Sequence, residues 1–169
     1  MTQGKMVVLK PVVWNDNGYR WPAGRIGSSG YTKLNGYGHE EWNGRDDWVW
    51  DGWKVFHTQA KGMMLDYAKT GRLSIIMTAI VGGKFFAVGV GCNIFYNTSD
   101  DAAAISNALD LPSYVDRMWE VESIRMAHGT KTAFNRHWLK HLDGVVAELC
   151  PRKDSLEWSS GLRACHDQA

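Results

Sequence analysis

Hydrophobic and polar positions along the chain form short patterned runs around one long unpatterned stretch. Met6 to Trp14, MVVLKPVVW, is short and rich in β-branched residues, and predicts a strand. Pro11 places it at a sheet edge or a bulge, because proline has no N–H for a ladder. Trp53 to Thr58 predicts a second strand, and Lys61 to Lys69 a short helix that partly buries Met63, Met64, Leu65 and Tyr67. Gly71 would end that helix. Arg72 to Val81 and Lys84 to Tyr96 predict two strands joined at Gly82-Gly83, a favoured two-residue hairpin turn. Gly89 and Gly91 point to a bend or a close backbone approach. Ser99-Asp100-Asp101 predicts the cap of a helix running to about Leu109, with Pro112 beyond its end. Met118 to Met126, MWEVESIRM, predicts another strand. Thr132 to Leu149 predicts a helix, with Phe134, Trp138, Leu142, Val145 and Leu149 at helical spacing and Pro151 as its stop. The order of elements is α+β.

Asn15 to Gly44 has neither period. It is dense in Gly, Asn, Ser and aromatics. So long a stretch without structure, inside a compact domain, is usually functional or disordered. The interleaved Tyr19, Trp21, Tyr31, Tyr37 and Trp42 argue against disorder. An ordered binding loop is the expectation.

Composition sharpens this picture at one point only. The chain has 169 residues, 44% apolar and 22% charged, as expected of one globular domain. Residues 1–152 are expected to form that domain and 153–169 a peripheral tail. The net charge of +1 gives no basic field over the whole chain. Residues 54–100 are locally basic, with Lys54, Lys61, Lys69, Arg72 and Lys84 against Asp66 and Asp100. Cys92, Cys150 and Cys165 have no zinc spacing and read as reduced thiols. No apolar run reaches the roughly 18 residues of a membrane span, and the N-terminus does not resemble a signal peptide. A cytoplasmic location is therefore expected. The compositional oddity is nine tryptophans, six of them from Trp14 to Trp53.

Flat nucleobases are held by stacking between aromatic faces, and reading a single base usually requires drawing it into a pocket. Trp14, Trp21, Trp42 and Trp48 are candidate walls, with Tyr37 beside them. Asn15 and His39 are candidates for the base's hydrogen-bonding edge. Arg20, Arg25, Lys33 and Arg45 from the loop, with Lys54 and Lys84, are candidates for the phosphates. The competing account is that several of these tryptophans fill core volume.

Other constellations are weaker. His39-Glu40-Glu41 begins like a zinc-protease motif but lacks the second histidine. Glu40 and Glu41 read better as loop carboxylates that pin arginines or backbone amides. His137 and His141 stand i, i+4 with no third metal ligand in view. A solvated face with Arg136 and Lys140 is the expected setting. Glu120 and Glu122 would share one strand face, partnered by Arg117 or Arg125. Phosphate-loop and nucleophile-elbow motifs are absent. No cofactor or metal is expected.

In element order and composition the chain resembles the PUA-like superfamily, which includes EVE, YTH, ASCH and SRA domains. The likeness rests on VVLKPVVW with its long aromatic loop, on VFHTQ, and on the hairpin LSIIMTAIVGGKFFAVGVG, and covers roughly residues 5–98. It implies a small twisted β-barrel flanked by helices, holding a modified base in an aromatic cage. It also implies a specificity module of a modification-dependent restriction system, with the nuclease in another domain or subunit. The expected function is recognition of a methylated or hydroxymethylated base in duplex DNA by base flipping, without enzymatic activity. The alternatives are a YTH-like RNA reader, a metal-dependent hydrolase or nuclease using His39, Glu40 and Glu41, and a protein-interaction module.

Overall fold

The computed structural model describes residues 4–24, 30–59, 61–146 and 156–157. The chain is α+β. Four strands, β1 (Met6–Pro11), β4 (Leu73–Val81), β5 (Lys84–Ile94) and β6 (Leu156–Glu157), make one mixed sheet in the order β1-β4-β5-β6. A separate antiparallel ribbon joins β2 (Val49–Trp50) to β3 (Trp53–Lys54). Among the described residues the sheet is open, and no closed barrel forms. None of their helices is long and apolar enough to cross a membrane.

The hairpin is the element the sequence marks most clearly. Gly82 and Gly83 take φ of 55° and 76°, the left-handed pair that a tight turn between twisted strands requires. Met77 stands opposite Gly89, and the register slips between Met77 and Thr78. The anticipated bend therefore falls at a glycine. β1 runs parallel to β4, with Met6 opposite Leu73 and Pro11 opposite Thr78. Pro11 thus sits at the end of an edge strand, where its missing donor costs little.

Among the described residues the α-helices are α1 (Gly30–Asn35), α2 (Met63–Ala68), α3 (Ser99–Ala108), α4 (Tyr114–Trp119), α5 (Glu122–His128) and α6 (Lys131–Val146). Thr98, one residue before the expected cap, closes α3. Its Oγ1 accepts from Asp101 N at 3.2 Å, and the Asp101 carboxylate accepts from Thr98 N at 2.8 Å. On α6, Phe134, Trp138 and Leu142 are buried. The side chains of Val145 and Leu149 lie outside the described residues, as do Cys150, Cys165 and most of the 153–169 tail.

Three expectations are corrected. Met118–Met126 is not a strand but the end of α4, a break at Glu120–Val121, and most of α5. Period two and period 3.6 are hard to separate over nine residues. Burial settles it, because Val115 and Met118, three apart, face the same core. Glu120 and Glu122 share no strand face, and Arg125 donates to the carbonyls of Trp119 and Glu120 instead of to a carboxylate. The second strand is shorter than Trp53–Thr58 and ends at Lys54. The loop from Asn15 to Gly44 contains α1 and a 3₁₀ turn at His39–Trp42.

Two hydrophobic cores result. The sheet buries Leu73, Ile75, Met77, Val88 and Ile94 with Tyr19, Phe56 and Ala68. The helices bury Ile105, Leu111, Met118, Ile124, Phe134 and Trp138 with Tyr37, Trp42, Trp48 and Val55. The neighbours Val55 and Phe56 enter different cores, so the segment after β3 threads between them.

Candidate functional site

Two buried amides and one buried carboxylate fix the loop. Asn15 Nδ2 donates to Trp21 O at 2.9 Å and to Glu41 Oε1 at 3.3 Å. Asn15 Oδ1 accepts from the backbone N–H of Asn17 and Tyr19. Glu41 also accepts from Gly38 N at 2.8 Å and Ala23 N at 3.0 Å. It is thus the carboxylate that pins backbone amides, as its sequence context suggested. Burial pushes its pKa up, against the pull of these donors. Asn43 clamps the backbone of His57 on both sides: Nδ2 donates to His57 O at 2.7 Å, and Oδ1 accepts from His57 N at 2.7 Å.

These bonds decide where the candidate base-binding residues stand. Asn15, Tyr37, Trp42 and Trp48 are buried. Trp42 packs on Trp48 and tilts against Trp138, with centroids 5.8 Å apart. Trp14 lies apart from them, on the sheet core beside Phe86 at 5.4 Å. Of the seven, His39 and Trp21 line open clefts, and the two clefts are different.

The first cleft, of about 280 Å³, is lined by Tyr31, Thr32, Gly38, His39, Glu40, His57 and Gln59. The His39 and His57 rings meet edge to face at 4.7 Å, and Tyr31 lies 4.7 Å from His39. The Tyr31 hydroxyl is within 3.1 Å of both His39 Nε2 and His137 Nε2, and 2.8 Å from the Tyr37 hydroxyl. A hydroxyl has one proton, so it donates to at most one of these three partners. At least one of the two imidazoles therefore carries its proton on Nε2. Burial lowers His39 to about 3, helped by the neighbouring His57. Burial likewise lowers His137 to about 4, helped by His128 and His141. Both rings are neutral at pH 7. The floor at Gly38 is bare backbone: a Cβ there would meet Thr32 Cγ2 at 3.1 Å.

The solvated face expected for His137 and His141 is corrected here. His137 turns inward against Tyr31, Tyr37 and His128, while Arg136 and Lys140 remain exposed. Its i, i+4 partner follows it, at 4.5 Å. Among the described residues no three His, Cys, Asp or Glu side chains converge on a metal position.

The second cleft, of about 360 Å³, is lined by Arg20, Trp21, Arg45, Asp46, Asp47 and Arg117. Compared with protein-family models, with curated proteins and with solved structures, the chain matches none. The site therefore has to be read from its own chemistry.

The cationic candidates divide. Arg20 and Arg45 line the second cleft. Lys33 is exposed on α1, and Lys84 is exposed at the hairpin turn. Lys54 is buried, and its ammonium donates to the carbonyls of Arg45 and Val55. Arg25 lies outside the described residues. Two lining residues, His57 and Arg117, carry no sequence signal of a site. His57 falls inside the run Trp53–Thr58 that reads as a strand, and Arg117 just precedes the run Met118–Met126 that reads as another.

Proposed function

We propose that this chain reads a modified nucleic-acid base, taken singly into the cleft of Tyr31, His39 and His57. The observation that carries this reading is the pairing of two imidazoles with a phenol ring around a space of about 280 Å³. That space lies just below the range of about 300–1,000 Å³ usual for small-molecule pockets, so it suits one ring system. Uncharged aromatic faces stack on any base. Glu40 and Gln59, at the lining, offer polar groups to its edge. The cage thus differs from the tryptophan cage expected from sequence: its walls are Tyr and His, and the tryptophans lie behind or beside it.

Duplex DNA is the proposed partner, with the base flipped out of the stack. The PUA-like likeness is part of the same proposal. A nuclease domain or subunit supplying cleavage belongs to the proposal too.

Binding of the full chain to matched duplexes, plain and carrying methylated or hydroxymethylated bases, tests it. The expected result is tighter binding to one modified duplex. Tyr31→Ala and His39→Ala should each remove about 1–3 kcal/mol of that binding. Equal, weak binding across the panel overturns the reading. A single-stranded RNA that outcompetes every duplex redirects it to an RNA reader.

A further inference from the structure

We propose that the cleft around Trp21 is a phosphate-binding subsite whose principal ligand is Arg117. This deepens the reader reading and rests on it for the source of the phosphate, a nucleic-acid backbone.

The Arg117 guanidinium carbon stands 4.2 Å from the centroid of the Trp21 ring. A guanidinium laid on an indole face is held by the ring's quadrupole, while its N–H donors stay in its own plane. Those donors match two oxygens of a phosphate at once. Arg45 repeats the arrangement, 5.5 Å from the Tyr114 centroid, and Tyr114 leans on Trp21 at 5.5 Å. Two guanidiniums thus rest on one continuous aromatic back.

Charge separates the three arginines of the cleft. Arg20 pairs with Asp46 at 3.4 Å, and Arg45 pairs with Asp47 through both of its forks. Arg117 makes no ion pair among the described residues. Three guanidiniums and two carboxylates leave one positive charge, at Arg117. A phosphodiester carries one negative charge and fits that balance. A free phosphate dianion meets Asp46 and Asp47 as well, and fits it less.

The subsite is joined to the base cleft by a buried wall. Trp21 meets Trp42 edge-on at 6.3 Å, Trp42 meets Tyr37 at 5.7 Å, and Tyr37 meets His39 at 5.9 Å. Asn15 ties the same two sides through the backbone of Trp21 and the carboxylate of Glu41. A backbone phosphate on one side and a flipped base on the other would be held by one rigid unit.

The test follows the arginine Nε–H and Trp21 indole N–H signals of the full chain by NMR. The probes are a plain duplex and, separately, inorganic phosphate. Saturable shifts of Arg117 and Trp21 with the duplex are expected. Arg117→Ala should weaken plain and modified duplex by the same factor, about three- to tenfold, and lower the salt slope by about one. Arg117→Lys should keep the slope and lose part of the affinity, because the charge remains and the fork does not. An unmoved Arg117 signal with an unchanged salt slope overturns the subsite, even where modified duplex still binds best. Stronger shifts with inorganic phosphate than with duplex overturn the backbone source. Arg117 shifts with equal affinity for all duplexes would uphold the subsite and reject the base reader.

Discussion

Trp42 and Trp48 lie nearly parallel and offset, with ring centroids 6.0 Å apart and planes 9° apart, and both are buried. They come from the segment that is richest in candidate base-binding aromatics, and they bind each other. Trp42, packed on Trp48 and tilted against Trp138, belongs to the buried wall that joins Trp21 of one cleft to His39 of the other.

Trp42→Ala should therefore cost stability of about 3–5 kcal/mol, as expected for deleting a large buried aromatic. Trp42→Phe should cost markedly less. The indole N–H has no hydrogen-bond partner among the described residues, so no polar contact is lost with it. Urea denaturation of the two variants checks this. A Trp42→Ala variant as stable as the parent, with binding abolished, would make Trp42 a contact residue instead.

Asn43→Ala should both destabilise the fold and loosen the base cleft. It removes both side-chain bonds to the N–H and C=O of His57, at about 1–3 kcal/mol each. The His57 ring then loses its fixed position against His39. The expected readout is a lower urea midpoint together with a changed His39 NMR environment. A change confined to the midpoint would show that Asn43 does not position the cleft.

Neighbouring carboxylates should respond in opposite ways. Glu41→Gln puts an amide N–H where Gly38 N or Ala23 N now donates, and should cost about 1–3 kcal/mol. Glu40→Gln, half-exposed at the lining of the cleft, should leave stability nearly unchanged and alter which base edge is accepted. Thermal melts of both variants separate the two roles.

Acid should destabilise the protein before its carboxylates titrate. His39 and His137 have folded values of about 3 and about 4, below the ordinary imidazole value of 6.5. Between those limits the unfolded chain binds more protons than the folded one, so stability rises with pH. It should fall progressively as pH drops from about 7 toward 4. Glu41, with its value raised, contributes with the opposite sign just above the usual carboxylate range. Melting temperatures across this window check the sign. His39→Phe should flatten the slope, and an unchanged slope would mean that the imidazole is not held neutral.

Gly36→Ala should fail badly. Its φ is +75°, and an added Cβ would lie 2.2 Å from the Ser123 carbonyl oxygen. The Gly36 carbonyl accepts from Ser123 Oγ at 2.6 Å, so the contact cannot open without losing a buried bond. Left-handed strain alone costs about 1–2 kcal/mol. Soluble expression and cooperative unfolding of this variant would show that α1 and α5 can separate freely.

How much of this was legible beforehand varies by element. The β4–β5 hairpin was, because Gly82-Gly83 and the flanking apolar runs encode turn and strand locally. The α6 stripe of Phe134, Trp138 and Leu142 was, because helical spacing states which face is buried. Glu41's role as an anchor for amides was visible in outline. The α4–α5 region was not, because nine mixed residues satisfy both periods equally well. Nor was the inward turn of His137, because its flank of the helix is decided by what packs there, and that is Tyr31 from a segment 106 residues away.

By itself the sequence determined that this is an α+β chain with an aromatic-rich segment near its start, since local turns, periods and composition depend only on near neighbours. Which aromatics fill the core and which line a cleft was settled by long-range contacts. Burial is a property of contacts between distant residues. Indoles of equal hydrophobicity were sorted by the amides and the carboxylate of Asn15, Glu41 and Asn43, which hold the loop in one path.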